Sequence, residues 1–189
     1  IDIEDVDCFG SASGRATVIV TGGTTPYSYL WDDAMGQTTI TANNLLPGVI
    51  SVSVTDSNGC IETSLAIISQ PDSLYVLTFG DTTICIGDFT EIYATGSGGT
   101  TPYTYTWPSG FIGGGPVTIS PLTTTTYPVF VTDNNGCTSP MDSITITVNL
   151  PLIPSGVGAT ICAGEDAIIY VVANGGNGGP YTFTWSNNY

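Results

Sequence analysis

Apolar and polar positions alternate along most of this chain, and the alternation predicts strands. The run Ala16-Thr17-Val18-Ile19-Val20-Thr21 reads as a strand with two unlike faces, ended by Gly22-Gly23. In Pro26-Tyr27-Ser28-Tyr29-Leu30-Trp31 the aromatics Tyr27, Tyr29 and Trp31 fall at period two, so they project from one face of a second strand. The run recurs as Pro102-Tyr103-Thr104-Tyr105-Thr106-Trp107 and as Pro180-Tyr181-Thr182-Phe183-Thr184-Trp185. Further on, Ile50, Val52 and Val54 predict a strand, and Tyr127, Val129 and Val131 predict its counterpart. Both lead into Thr-Asp-x-Asn-Gly-Cys, at Thr55 to Cys60 and Thr132 to Cys137, where Asn-Gly signals a hairpin turn. Strands are expected to follow at Ile61 to Ile68 and Ser143 to Val148. No segment carries a helical period, and β-branched residues, Gly and Pro dominate, so the class is all-β.

The cysteines show how these strands are grouped. Cys8, Cys85 and Cys162 stand at a fixed interval of 77, as do Cys60 and Cys137 (85 − 8, 162 − 85, 137 − 60). A constant period of this length means tandem repeats. The expected domains are 1–72, 73–150 and the N-terminal part of a third at 151–189, truncated or completed by another chain. The offset from the first cysteine of each repeat to its tryptophan is 23, 22 and 23 (31 − 8, 107 − 85, 185 − 162), so that strand keeps its place. About seven short strands with an early tryptophan and two distant cysteines suggest an immunoglobulin-like sandwich. The second cysteine follows a hairpin turn, so an antibody-type disulfide is not implied. Ser69-Gln70-Pro71-Asp72 and Asn149-Leu150-Pro151 read as short, semi-rigid linkers.

Repeats this small bury little surface, which makes a covalent staple plausible. Without a C-x-x-C or any histidine, the cysteines do not form a zinc or thioredoxin-like site and read as disulfides of an oxidising, extracytoplasmic compartment. The expected pairing is within repeats, Cys8 with Cys60 and Cys85 with Cys137, each closing a loop worth about 4 kcal/mol. Cys162 would then find its partner near position 214, beyond the chain end. Linkage between repeats, Cys60 with Cys85 and Cys137 with Cys162, respects the same period and stays open as the alternative.

Charge and absences remove whole classes of function. Sixteen acidic residues face one basic residue, Arg15, for a net charge of −15, which repels nucleic acid and anionic membranes. No apolar run has the length of a membrane span, and Ile1 opens neither a signal peptide nor an initiator methionine, as in a mature or internal segment. With no histidine or lysine, no Ser-His-Asp triad, Cys-His pair, Schiff base or Lys-Asn isopeptide link can be built. The acidic residues lie in turns and linkers, where nothing marks a hydrolytic carboxylate pair. The expectation is a protein without enzymatic activity.

The segments Cys8-Phe9-Gly10, Gly22 to Trp31, Leu46-Pro47-Gly48 and Val54 to Cys60 resemble the SprB-type repeat of cell-surface gliding adhesins across residues 1–72. Residues 73–150, with Ile84-Cys85-Ile86-Gly87-Asp88, Leu122 to Tyr127 and Val131 to Cys137, look more like PKD-like or immunoglobulin-like modules, and Ile161 to Glu165 opens another. The resemblance implies very long, secreted, repetitive surface proteins. It carries no catalytic residue. In such bacteria a short Asp-Ser/Thr-apolar pattern is O-glycosylated, which makes Ser73, Thr82 and Ser143 the candidate acceptors.

Two further patterns have competing readings. The stripe Tyr27, Tyr29, Trp31 suits either sugar stacking or a core, and its constant spacing from the cysteine favours the core. The turns Asp56-Ser57-Asn58-Gly59 and Asp133-Asn134-Asn135-Gly136 resemble pieces of calcium loops but are better read as turns bonded to their own backbone. Asp2, Glu4, Asp5 and Asp7 are the better calcium candidates, together with Asp32-Asp33 or Glu165-Asp166; no other cofactor is expected. The leading expectation is an extracellular adhesin stalk or filament whose partners are neighbouring repeats, copies of itself or surface glycans. An array of carbohydrate-binding modules on a larger secreted protein is the alternative.

Overall fold

A computed structural model describes residues 1–176 and 178–186. Residues 2–68 form six strands: β1 (Asp2–Glu4), β2 (Gly14–Thr17), β3 (Ser28–Trp31), β4 (Thr41–Leu45), β5 (Gly48–Thr55) and β6 (Ile61–Ile68). Eight follow: β7 (Tyr75–Phe79), β8 (Thr82–Cys85), β9 (Thr90–Ser97), β10 (Thr104–Thr106), β11 (Val117–Ile119), β12 (Thr125–Thr132), β13 (Asp142–Val157) and β14 (Tyr170–Gly176). The described residues contain no helix. The fold is all-β.

Two three-stranded sheets, ordered β1-β2-β4 and β3-β5-β6, make an immunoglobulin-like arrangement, and the orders β7-β9-β11 and β10-β12-β13 repeat it. The two hairpin-forming strands β5 and β12 begin and end at the cysteine interval (125 − 48 = 132 − 55 = 77). β2 stops at Thr17, short of the expected Thr21, because its partner β4 begins at Thr41, opposite Thr17. Val18 still donates its N–H to the Ile40 carbonyl at 3.0 Å.

Close packing sorts the described residues into two compact units. The first comprises residues 1–77, 95–106 and 129–141. Its core gathers Val6, Ala16, Trp31, Leu45, Val52 and Ile68 from both sheets. Trp31 is 1 % exposed, and its Nε1 donates to the Thr39 carbonyl at 2.9 Å, so the ring is buried with its polar atom satisfied. Val129, Val131, Leu74 and Val76 are also buried in this unit. Residues 69–72 form no strand, as expected of a linker, yet they are held: Ser69 N–H reaches Asp5 Oδ1 at 2.7 Å and Gln70 Oε1 accepts from Gly10 N–H at 2.8 Å.

The second unit comprises residues 78–94, 107–128 and those described from 142 onward. Ile92, Ile144, Ile146 and Trp107 are buried there, and Trp107 Nε1 donates to the Gly113 carbonyl at 2.9 Å. Phe111 lies between Trp107 and Tyr127, with ring centroids 5.8 and 5.7 Å away. The expected linker Asn149-Leu150-Pro151 is corrected here. β13 runs through it without a break and pairs antiparallel with β14. The register shifts between Leu150 and Ile153, so Pro151, which has no N–H to give, sits at an irregularity of the ladder where none is required.

Candidate functional site

The five cysteines are of two kinds, three leading ones (Cys8, Cys85, Cys162) and two trailing ones that follow the Asn-Gly turns (Cys60, Cys137). The local sequence shapes both. At the trailing turn, Asp133 Oδ1 accepts the N–H groups of Asn135 and Cys137, both at 2.9 Å, while Oδ2 accepts Thr100 N–H at 2.9 Å. Asp56 does the same with Asn58 and Cys60 at 2.9 Å and with Thr24 at 3.1 Å. Gly59 and Gly136 each take φ +83°, which only glycine adopts freely, and bring the chain back so that Asp56 and Asp133 N–H reach the carbonyls of Cys60 and Cys137 at 3.0 Å.

At the leading cysteines the fixing group is an oxygen three residues on. Cys8 N–H points to Ser11 Oγ at 3.4 Å, Cys85 N–H to Asp88 Oδ2 at 3.2 Å and Cys162 N–H to Glu165 Oε2 at 3.3 Å. The same three residues return their own N–H to the cysteine carbonyl, at 3.0, 3.1 and 3.2 Å. This Cys-x-x-acceptor turn is a feature that the sequence reasoning missed, although Ser11, Asp88 and Glu165 stand at one offset.

Within the first unit the two turns meet. Cys8 is disulfide-bonded to Cys137, 129 residues away, with Cα atoms 5.7 Å apart. Asn135 Nδ2 donates to the Asp7 carbonyl at 3.0 Å, and Gly99 N–H donates to the Asp72 carbonyl at 2.9 Å. A Cβ at Gly98 would overlap the Ser73 carbonyl, so the chains approach as closely as glycine allows. A cavity of about 390 Å3 lies at this junction, lined by Cys8, Phe9, Asp72, Asp133 and Cys137 among others.

This bond corrects the expected pairing. Neither Cys8–Cys60 nor Cys85–Cys137 forms, and neither does the alternative set Cys60–Cys85 and Cys137–Cys162; Cys60, Cys85 and Cys162 are free and exposed. The reason is the direction of the turns. The trailing turn carrying Cys137 faces the turn of Asp7 and Cys8, to which Asn135 is already bonded. The period alone is blind to this, because every scheme that joins equivalent cysteines preserves it.

Asp56 and Asp133 spend their oxygens on backbone N–H groups. At Asp56 the Cys60 N–H bond holds the pKa below the usual carboxylate range. At Asp133 burial pushes the pKa up, but the bonds from Thr100, Cys137, Asn135 and Gly136 outweigh it and the net shift is also downward. Of the calcium candidates, Glu4 pairs with Arg15 at 3.1 Å and Asp5 accepts from Ser69. Asp32 binds Ser51 N–H at 2.6 Å, and Asp33 binds Gln37 N–H at 2.9 Å. No group of three or more acidic or cysteine side chains is arranged to hold a metal among the described residues. Ser73, Thr82 and Ser143 are all exposed. Trp31 and Trp107 are 1 % and 3 % exposed, so the stripe ends in a core ring in those two copies, whereas Trp185, its counterpart in the third, is 39 % exposed.

Residues 1–36 match the family model of the SprB repeat. No curated protein matches the chain. Among solved structures, an amphioxus IgVJ-C2 molecule is similar at 14% identity and TM-score 0.35, covering 73% of this chain and 98% of its own. Fibronectin(III)-like modules of Clostridium thermocellum CbhA are similar at 15% identity and TM-score 0.36, covering 78% and 90%. Extracellular domains 3-5 of Drosophila OTK follow at 12% identity and TM-score 0.32, covering 72% and 58%. Likenesses this distant say nothing of function.

Proposed function

We propose that this chain is a stretch of tandem immunoglobulin-like repeats, at 1–72, 73–150 and from 151 onward, that serves outside the cell as the stalk of a surface adhesin or as a filament, without enzymatic activity. One observation carries the reading: the Cys8–Cys137 bond ties the leading turn of one repeat to the trailing turn of the next. A bond in that place contributes to holding successive repeats together, which matters to an array and little to an isolated domain. It also belongs to an oxidising compartment, and the SprB match at residues 1–36 agrees with the cell surface.

The surface suits the same role. A net charge of −15 keeps the array soluble, and the exposed hydroxyls of Ser73, Thr82 and Ser143 are open to O-glycosylation. Edge strand β6 turns Leu65 and Ile67 outward, and Val49, opposite Ile67 in the ladder, is exposed beside them. That apolar stripe gives copies of the chain a face on which to meet laterally. Electron microscopy of the native product, on and released from its cells, tests the proposal. Regular fibres or surface-tethered threads are expected; compact isolated particles would overturn it.

A further inference from the structure

The junction at Cys8 and Cys137 has two sides, and each side recurs elsewhere in the chain without its partner. On the trailing side the cavity is lined by Gly99, Asp133, Cys137 and Thr138. One period upstream of the last three stand Asp56, Cys60 and Ile61, and these line a separate groove of about 460 Å3 with Gly22 and Gly23. On the leading side the junction is lined by Cys8 and Asp72. One period downstream of these stand Cys85 and Asn149, and they line an open groove of about 740 Å3.

The likeness extends to the groups that make the joint. Asn135 Nδ2 donates both to Thr100 Oγ1, at 3.3 Å, and across the junction to the Asp7 carbonyl at 3.0 Å. Its counterpart Asn58 makes the first contact, to Thr24 Oγ1 at 3.0 Å, and is placed to make the second. Close approach also recurs one repeat on. Gly175 lies against the Pro151 carbonyl as Gly98 lies against that of Ser73, each at positive φ where a Cβ would overlap the opposing oxygen. The joint is thus a repeating element of the chain, filled once with both its cysteines present.

We propose that Cys60 and Cys85 are the open halves of two further joints of this kind, each closed by another repeat of the same polypeptide. Cys60 bonds the leading cysteine of a preceding repeat. Cys85 bonds the trailing cysteine of the repeat that opens at Cys162, one period beyond Cys137. Every repeat is then stapled to the one before and the one after, and the loops overlap along the whole array. In each closure two thiols lose two protons and two electrons as the S–S bond forms. The electrons and protons pass by thiol–disulfide exchange, through a mixed disulfide, to a disulfide-carrying oxidant whose own S–S bond is reduced to two thiols. The exposure of both cysteines gives that exchange its access.

The inference rests on the tandem-array reading, but fails separately from it. The native full-length product is alkylated without reduction, digested, and its disulfide-linked peptides are mapped by mass spectrometry, beside a non-reducing gel. The expected result is Cys8 with Cys137, Cys60 with a leading-type cysteine and Cys85 with a trailing-type one, all within one polypeptide and with no alkylated form of either. Recovery of Cys60 and Cys85 as alkylated thiols, a Cys8–Cys60 bond, or bands of multiple chains that collapse on reduction would each overturn it. Fibres or threads seen by microscopy would still stand in any of those cases, so the two failures are distinguishable.

Discussion

Cys8 and Cys137 are bonded across 129 residues of chain, each leaving from a turn already fixed by an oxygen acceptor, Ser11 Oγ for Cys8 and Asp133 Oδ1 for Cys137. The bond therefore joins two preformed turns and draws its effect from the size of the loop it closes. On the chain-entropy account a loop of that length is worth about 5 kcal/mol. Cys8→Ser, Cys137→Ser and the double variant are expected to lose the same stability, near that figure, in calorimetric melts. A double variant much less stable than either single would show that the cysteines act separately.

Acid should weaken the trailing turn. The folded pKa of Asp133 is lowered, so its contribution is fully present above the unfolded value, about 4, and is lost as pH falls through the folded one. Melting temperature is expected to hold from pH 7 to 5 and to fall below about pH 4. Asp133→Asn replaces an acceptor with a donor facing Thr100 N–H, so it should cost about 1–3 kcal/mol at neutral pH and reduce the acid slope, the remainder coming from Asp32, Asp33, Asp56 and Asp142, whose pKa values are also lowered. An unchanged slope in that variant would place the acid-sensitive group elsewhere.

How far the sequence reaches is clear from two residues. Trp31 was legible as core because burial, alternation and constant spacing all act within a strand or two of the ring, and the structure leaves it 1 % exposed. The partner of Cys8 was not. It depends on which end of one repeat faces which end of the next, a tertiary relationship that no local pattern encodes. The continuation of β13 through Pro151 was hidden in the same way, since a proline-containing junction reads as a linker until the opposing strand β14 is in view.

Glycines at positive φ separate strain from contact. Gly36 has φ +60° with nothing within 4 Å of a notional Cβ, whereas at Gly98, φ +78°, the Ser73 carbonyl occupies that space. Gly36→Ala should cost about 1 kcal/mol, the left-handed penalty alone. Gly98→Ala should cost distinctly more, because backbone must move. Chemical denaturation of the two variants measures the difference, and equal losses would mean that the joint yields easily.

Tension gives the sharpest reading of the Cys8–Cys137 bond. When the chain is pulled from its ends, force enters at Cys8 and crosses directly to Cys137, so residues 9–136 cannot lengthen while the bond is intact. Those 128 residues (136 − 9 + 1) would otherwise extend by about 46 nm at ~3.6 Å per residue. Single-molecule stretching should therefore show about 46 nm of contour length appearing only after reductant is added. A within-repeat bond from Cys8 to Cys60 would hide residues 9–59 alone, about 18 nm. The released length distinguishes the two arrangements without any variant. It also bears on the proposed stalk role, which requires that length be kept under load.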